Sequence, residues 1–115
     1  MLKAFHSKFA TVLALFVGLY PQTSAAENFT SEKLLAYEKE AQKNFIEISI
    51  TMAATVATQA NPKVARCIND WYFKDKPRQP QRNEHIVSVM RQYPGYHPSG
   101  VILAVLQKAC GSFKD

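Results

Sequence analysis

The stretch Tyr93-Pro94-Gly95-Tyr96-His97-Pro98-Ser99-Gly100-Val101-Ile102-Leu103-Ala104-Val105-Leu106-Gln107-Lys108-Ala109-Cys110-Gly111 places a turn, a helix and a cysteine in immediate succession. Pro94-Gly95 stops whatever helix precedes it, and a new helix begins near Pro98, where proline loses nothing by lacking an N–H. From Val101 to Cys110 the residues are apolar nearly all round, which predicts a buried helix. Gly111 follows as the residue that ends it. Cys110 sits in the last turn, and the only other cysteine is Cys67.

Reading back from that helix, Cys67 falls on a second apolar face. Asn61-Pro62 restarts the chain as N-cap and first helical residue. Val64, Cys67, Ile68, Trp71 and Tyr72 follow at i, i+3, i+4, i+7 and i+8, one side of a short helix. A bridge between Cys67 and Cys110 would pin two helices together. Closing a loop of this length is worth roughly 4 kcal/mol on the chain-entropy estimate. Redox chemistry favours closely spaced pairs such as C-x-x-C. These cysteines lie 43 positions apart, which favours a structural bridge.

The remaining elements also read as helical. Thr30 and Ser31 can cap a helix with Glu32 in its first turn. Leu34, Tyr37, Ala41, Phe45, Ile48, Met52 and Val56 recur at spacings of three and four, predicting one long helix from Ser31 to about Gln59 with that stripe inward. After Tyr72, the stretch Lys74-Asp75-Lys76-Pro77-Arg78-Gln79-Pro80-Gln81-Arg82 reads as an exposed basic loop. Asn83 then caps a third helix that buries Ile86, Val89, Met90 and Tyr93. No strand-like alternation, nucleotide-binding glycine loop or internal repeat is present. The expected fold is all-α, a small bundle of about four helices closed by one disulfide.

The N-terminus sets the compartment. Lys3 and Lys8, an apolar run from Phe9 to Tyr20 and the small residues Ser24, Ala25 and Ala26 form the three parts of a cleavable secretory signal. The apolar run is 12 residues long, short of the roughly 20 that span a bilayer. Residues 1–26 are therefore expected to leave, and residues 27–115 to form a single helical domain without stable membrane insertion, periplasmic or secreted. Lys3 and Lys8 leave with the signal, so 12 basic side chains stand against 9 acidic ones. That balance is too mild to argue for nucleic acid.

Chemistry is sparse. No two histidines stand at i, i+4, and no nucleophile has a plausible partner, so no metal, cofactor or catalytic residue is expected. Two elements stand out for binding. One is the basic loop with Lys74, Lys76, Arg78 and Arg82 beside Trp71-Tyr72-Phe73, three aromatics that one helical face cannot all bury. The other is the Tyr93 to Gly100 turn with Tyr96 and His97, where His97 can cap the last helix and a charged imidazole would oppose its dipole. These features predict a non-catalytic protein that acts by binding another protein.

The stretch His85-Ile86-Val87-Ser88-Val89-Met90-Arg91-Gln92-Tyr93-Pro94, followed by Val101 to Cys110, resembles the small two-cysteine periplasmic immunity proteins that neutralise type VI secretion effectors. That resemblance implies an immunity or inhibitor role. The layout of two helices joined by one disulfide is also similar to periplasmic acid-stress chaperones of the HdeA kind, which implies a chaperone role instead. The long N-terminal helix and mild basic charge depart from both patterns. An accessory subunit or an enzyme of another kind is the remaining alternative.

Overall fold

The computed structural model describes residues 28–114. The expected signal and its cleavage region lie outside the described residues. Among the described residues there are five α-helices and no strand: α1 (Ser31–Leu35), α2 (Lys39–Ala60), α3 (Pro62–Ile68), α4 (Gln79–Gln92) and α5 (Pro98–Cys110). A π-helical turn (Asn69–Phe73) extends α3, and a 3₁₀ turn (Lys76–Arg78) leads into α4. The all-α fold closed by one disulfide is as the sequence predicts.

The long N-terminal helix is in fact two. Helix α1 ends at Leu35 and α2 starts at Lys39, although no proline or glycine separates them. The break is held by Gln42, whose side-chain amide donates to the carbonyls of Leu35 (3.1 Å) and Tyr37 (2.8 Å). These carbonyls would otherwise be left without partners at a helix end. Thr30 caps α1 through its hydroxyl oxygen, which accepts from the Lys33 N–H at 3.3 Å.

The break also changes which face of α2 is buried. Ile46, Ile50 and Ala57 point into the core, whereas Tyr37, Ile48, Met52 and Val56 are each more than half exposed. The stripe expected inward therefore faces outward over most of its length. Two apolar stripes share this helix, and the inward one is chosen by the surface that α3 and α5 offer. Of the stripe expected inward, Leu34 is buried in the core and Phe45 packs partly buried against it.

Helices α2 and α3 form a tight hairpin about Asn61, and α5 packs against α2, α3 and α4 at the centre. Asn61 is buried, and its side-chain amide donates to the Ser112 carbonyl at 3.3 Å, tying the hairpin to the chain end beyond α5. Val101, Ile102, Val105 and Leu106 of α5 meet Ile50, Val64, Ile68, Tyr72, Ile86 and Met90 in one core. Helix α5 ends as predicted at Gly111, whose φ of +99° suits a residue without a side chain. Cys67 in α3 and Cys110 in the last turn of α5 are bonded, with their Cα atoms 5.6 Å apart.

Helix α4 starts four residues before Asn83. Pro80 falls in its first turn, where a missing N–H breaks no bond, so the basic segment is a 3₁₀ turn running straight into a helix. Arg82 consequently stands on α4 instead of in a loop. Asn83 is no cap, and Tyr93 lies just past the helix end, half exposed instead of buried.

Candidate functional site

The three consecutive aromatics are sorted by the π-helical turn. The wider turn, closed by the Lys74 N–H donating to the Asn69 carbonyl at 2.9 Å, redistributes side chains that a regular helix would spread at 100° steps. Tyr72 becomes fully buried, while Trp71 and Phe73 are half-buried. Tyr72 therefore belongs to the core and is corrected out of the candidate binding residues. Its hydroxyl donates to Asn83 Oδ1 at 2.7 Å, and its carbonyl accepts from Gln79 Nε2 at 3.2 Å. Burial, with a smaller contribution from the Glu47 carboxylate, pushes the Tyr72 hydroxyl up to about 12, against a smaller lowering by the Asn83 hydrogen bond.

Trp71 is covered by Arg82. The guanidinium carbon lies 4.7 Å from the ring centroid, and Nε donates to the Trp71 carbonyl at 3.3 Å. The carbonyl bond and the ring fix the guanidinium plane together, a cation–π arrangement that suits arginine better than lysine. The terminal nitrogens of Arg82 make no ion pair among the described residues. The stack and the Nε–H bond thus hold the guanidinium in one orientation.

This pair sits at one end of a groove of about 700 Å³ between α4 and α5. His85, Val89 and Tyr93 line it from the α4 side and Lys108 from α5, with Val105 at its floor. No Asp or Glu is among the described residues that line it. The groove thus joins apolar side chains to the positive groups of Arg82 and Lys108, a surface complementary to carboxylates beside apolar side chains.

The other loop cations are differently placed. Lys74 pairs with Asp70 at 3.6 Å and Arg78 with Asp75 at 3.5 Å, both pairs at the surface. Such pairs contribute little to stability. Lys76 is exposed. These three cations lie between Trp71 and Arg82 in sequence, and none of them lines the groove.

The Tyr93 to Gly100 turn is pinned from beneath by α1. The buried Ser31 donates to the Tyr96 carbonyl from both its N–H (2.8 Å) and its hydroxyl (2.9 Å), and the Glu32 N–H donates to the Pro94 carbonyl at 3.0 Å. His97 caps α5 as expected, its Nδ1 accepting from the Ser99 N–H at 3.1 Å. Its ring meets the edge of Phe29, which also packs on Phe45 and Tyr37. Tyr93 and Tyr96 stack edge to face with centroids 5.5 Å apart, both at least half exposed. Tyr93 joins this turn to the groove, a link that sequence reading missed because it placed Tyr93 in the core.

No family model, curated protein or solved structure matches this chain. Among the described residues no helix is long and apolar enough to cross a membrane. The Cys67–Cys110 bond is compatible with an oxidising, extracytoplasmic location.

Proposed function

We propose that this chain is a non-catalytic binding protein of the periplasm or extracellular space, of the immunity or inhibitor type, and that it engages a protein partner through the α4–α5 groove. The observation that carries this reading is the Arg82 guanidinium held on Trp71 at one end of a groove that Tyr93 and Lys108 also line. Tryptophan, tyrosine and arginine dominate binding hot spots, because aromatics bring area at little entropy cost and arginine brings directed hydrogen bonds. With no carboxylate lining the groove, the matching partner surface is acidic with an apolar side chain beside it.

The test is affinity capture from a periplasmic extract with the disulfide-intact protein, followed by titration of the recovered partner. A stoichiometric complex is expected. Lys108→Glu in the groove should weaken it at least ~10-fold, the size of a lost charge pair with an added repulsion, with only a small fall in thermal midpoint from placing an anion in the last turn of α5. Arg78→Glu, outside the groove, should weaken it less. Recovery of no stoichiometric partner would overturn the binding reading. Unchanged affinity in a folded Lys108→Glu variant would remove the groove from it.

A further inference from the structure

The α4 side of the groove is a row of side chains about one helical turn apart. Arg82, His85 and Val89 follow at spacings of three and four, so they share one face of α4, and all three line the groove. His85 is exposed, whereas Arg82 is half-buried against Trp71. The buried Ile86 and Val87 follow His85 directly, so this wall is held by packing and is no loop.

The charged and titratable side chains that share the groove with His85 are Arg82 one turn before it, Tyr93 about two turns after it and Lys108 of α5. Among the described residues lining the groove, His85 is the only histidine, and none is a carboxylate. The carboxylates on neighbouring elements lie outside it. Glu84 stands next to His85 but about 100° round the helix. Asp70 of the π-helical turn pairs with Lys74, and Asp75 ahead of the 3₁₀ turn pairs with Arg78. Glu32 of α1 lines a separate surface together with Arg91.

We propose that His85 is a proton-operated third cation of this groove, so that acidic ligands bind more tightly as pH falls, a regulation that rests on the groove being the site of an acidic partner. Histidine is the side-chain type whose charge changes between about pH 5 and 8. With a neutral imidazole the α4 wall carries one cation. Protonated, it carries two, one turn apart, with Lys108 across from them. Like charges at that spacing are mildly unfavourable on a helix, and nothing in the groove offsets the added one. A ligand carboxylate supplies the missing counter-charge. Protonation and carboxylate binding therefore favour each other by the same factor, as linkage requires.

The wider charge distribution acts in the same direction. Between Pro62 and Cys110 eight Lys and Arg side chains stand against three carboxylates, whereas between Ser31 and Ala60 three stand against four. Anionic ligands are thus drawn toward the α3–α5 part of the chain, which holds the groove.

A short end-blocked peptide of alternating aspartate and leucine is the probe, because its carboxylates stay ionised while histidine titrates. Trp71 lines the groove and is the only tryptophan, so its emission, referenced to the free protein at the same pH, reads binding. Affinity for the disulfide-intact protein should be ~3–5-fold higher at about pH 5.5 than at about pH 7.5, the size of one partly exposed charge pair, and high salt should shrink the difference. His85→Gln should hold the weaker affinity at both values and His85→Lys the tighter one, with circular dichroism unchanged because the side chain is exposed. Lys108→Gln should weaken binding at both values and keep the rise. A pH-independent affinity in the native protein, or the same rise in His85→Gln, would overturn the role of His85 and leave the groove reading standing. No binding at either pH would overturn both.

Discussion

The Tyr72 hydroxyl donates to Asn83 Oδ1 at 2.7 Å and so ties the π-helical turn after α3 to the second turn of α4. The two residues stand eleven positions apart, and the bond closes the basic segment between them into a short, stapled connection. The ionised phenolate is disfavoured there by burial and by the Glu47 carboxylate. A group whose native pKa lies above its unfolded value contributes stability that is present below the unfolded pKa and lost as pH climbs through the native one.

Stability should therefore decline between about pH 10 and about pH 12 through Tyr72, by on the order of 2 kcal/mol. Tyr72→Phe should cost about 1 kcal/mol at neutral pH for the lost hydrogen bond and flatten that part of the alkaline decline. Urea unfolding of both proteins at about pH 8 and about pH 11 compares the two slopes. Parallel declines would place the titration elsewhere.

Cys67 and Cys110 join α3 to the last turn of α5, so their bond closes most of the C-terminal half of the chain into one loop. Replacing both with serine should destabilise the domain by ~2–5 kcal/mol, the usual range for a native disulfide in a small domain. Chemical denaturation of the double variant measures this directly. Thiol labelling of unreduced native protein should find no free cysteine.

Ser31 holds the Tyr93 to Gly100 turn with two hydrogen bonds to one carbonyl, and only one of them survives Ser31→Ala. The expected loss is about 1 kcal/mol, concentrated locally. Amide hydrogen exchange should accelerate at Tyr96 and at the start of α5 while the α2–α3 hairpin stays protected. Uniform acceleration across the chain would instead mean that this contact is part of the global unfolding unit.

Trp71 is the only tryptophan in the chain, so its fluorescence reports on this one site, where Arg82 covers the ring and Tyr72 stacks beside it. Arg82→Lys removes both the planar stack and the Nε–H bond to the Trp71 carbonyl while keeping the charge. The emission maximum should shift to longer wavelength as water reaches the ring, with far-ultraviolet circular dichroism unchanged. An unshifted spectrum would show that the guanidinium does not shield the indole in solution.

Much of the architecture was legible in the sequence because it rests on short-range rules. Pro62 after Asn61, Pro94-Gly95, Pro98 and Gly111 punctuate the chain where backbone chemistry leaves few options, and the apolar spacing between them is helical. The cysteine pair followed from there being only two, each on the apolar side of a helix. The site was legible in part. Trp71 and Arg82 stood out as residue types, but their stacking, and the groove that links them to Tyr93 and Lys108, depend on how α4 lies along α5.

By itself the sequence determined an all-helical chain, the start of α3, both ends of α5 and the partners in the disulfide, since proline, glycine and apolar periodicity act within a few residues of themselves. Tertiary structure alone decided the break at Ala36–Glu38, which carries no helix breaker and depends on Gln42 reaching back to two carbonyls while Ser31 anchors α1 to the Tyr96 turn. It alone decided which apolar stripe of α2 faces inward. Ile46, Ile50 and Ala57 compete with Ile48, Met52 and Val56 at the same helical period, and periodicity has no means of choosing between two such faces. The choice is made by shape, because the close α2–α3 hairpin and the crossing of α5 admit the face lined with Ala53, Ala54 and Ala57 and leave the bulkier methionine ridge outside.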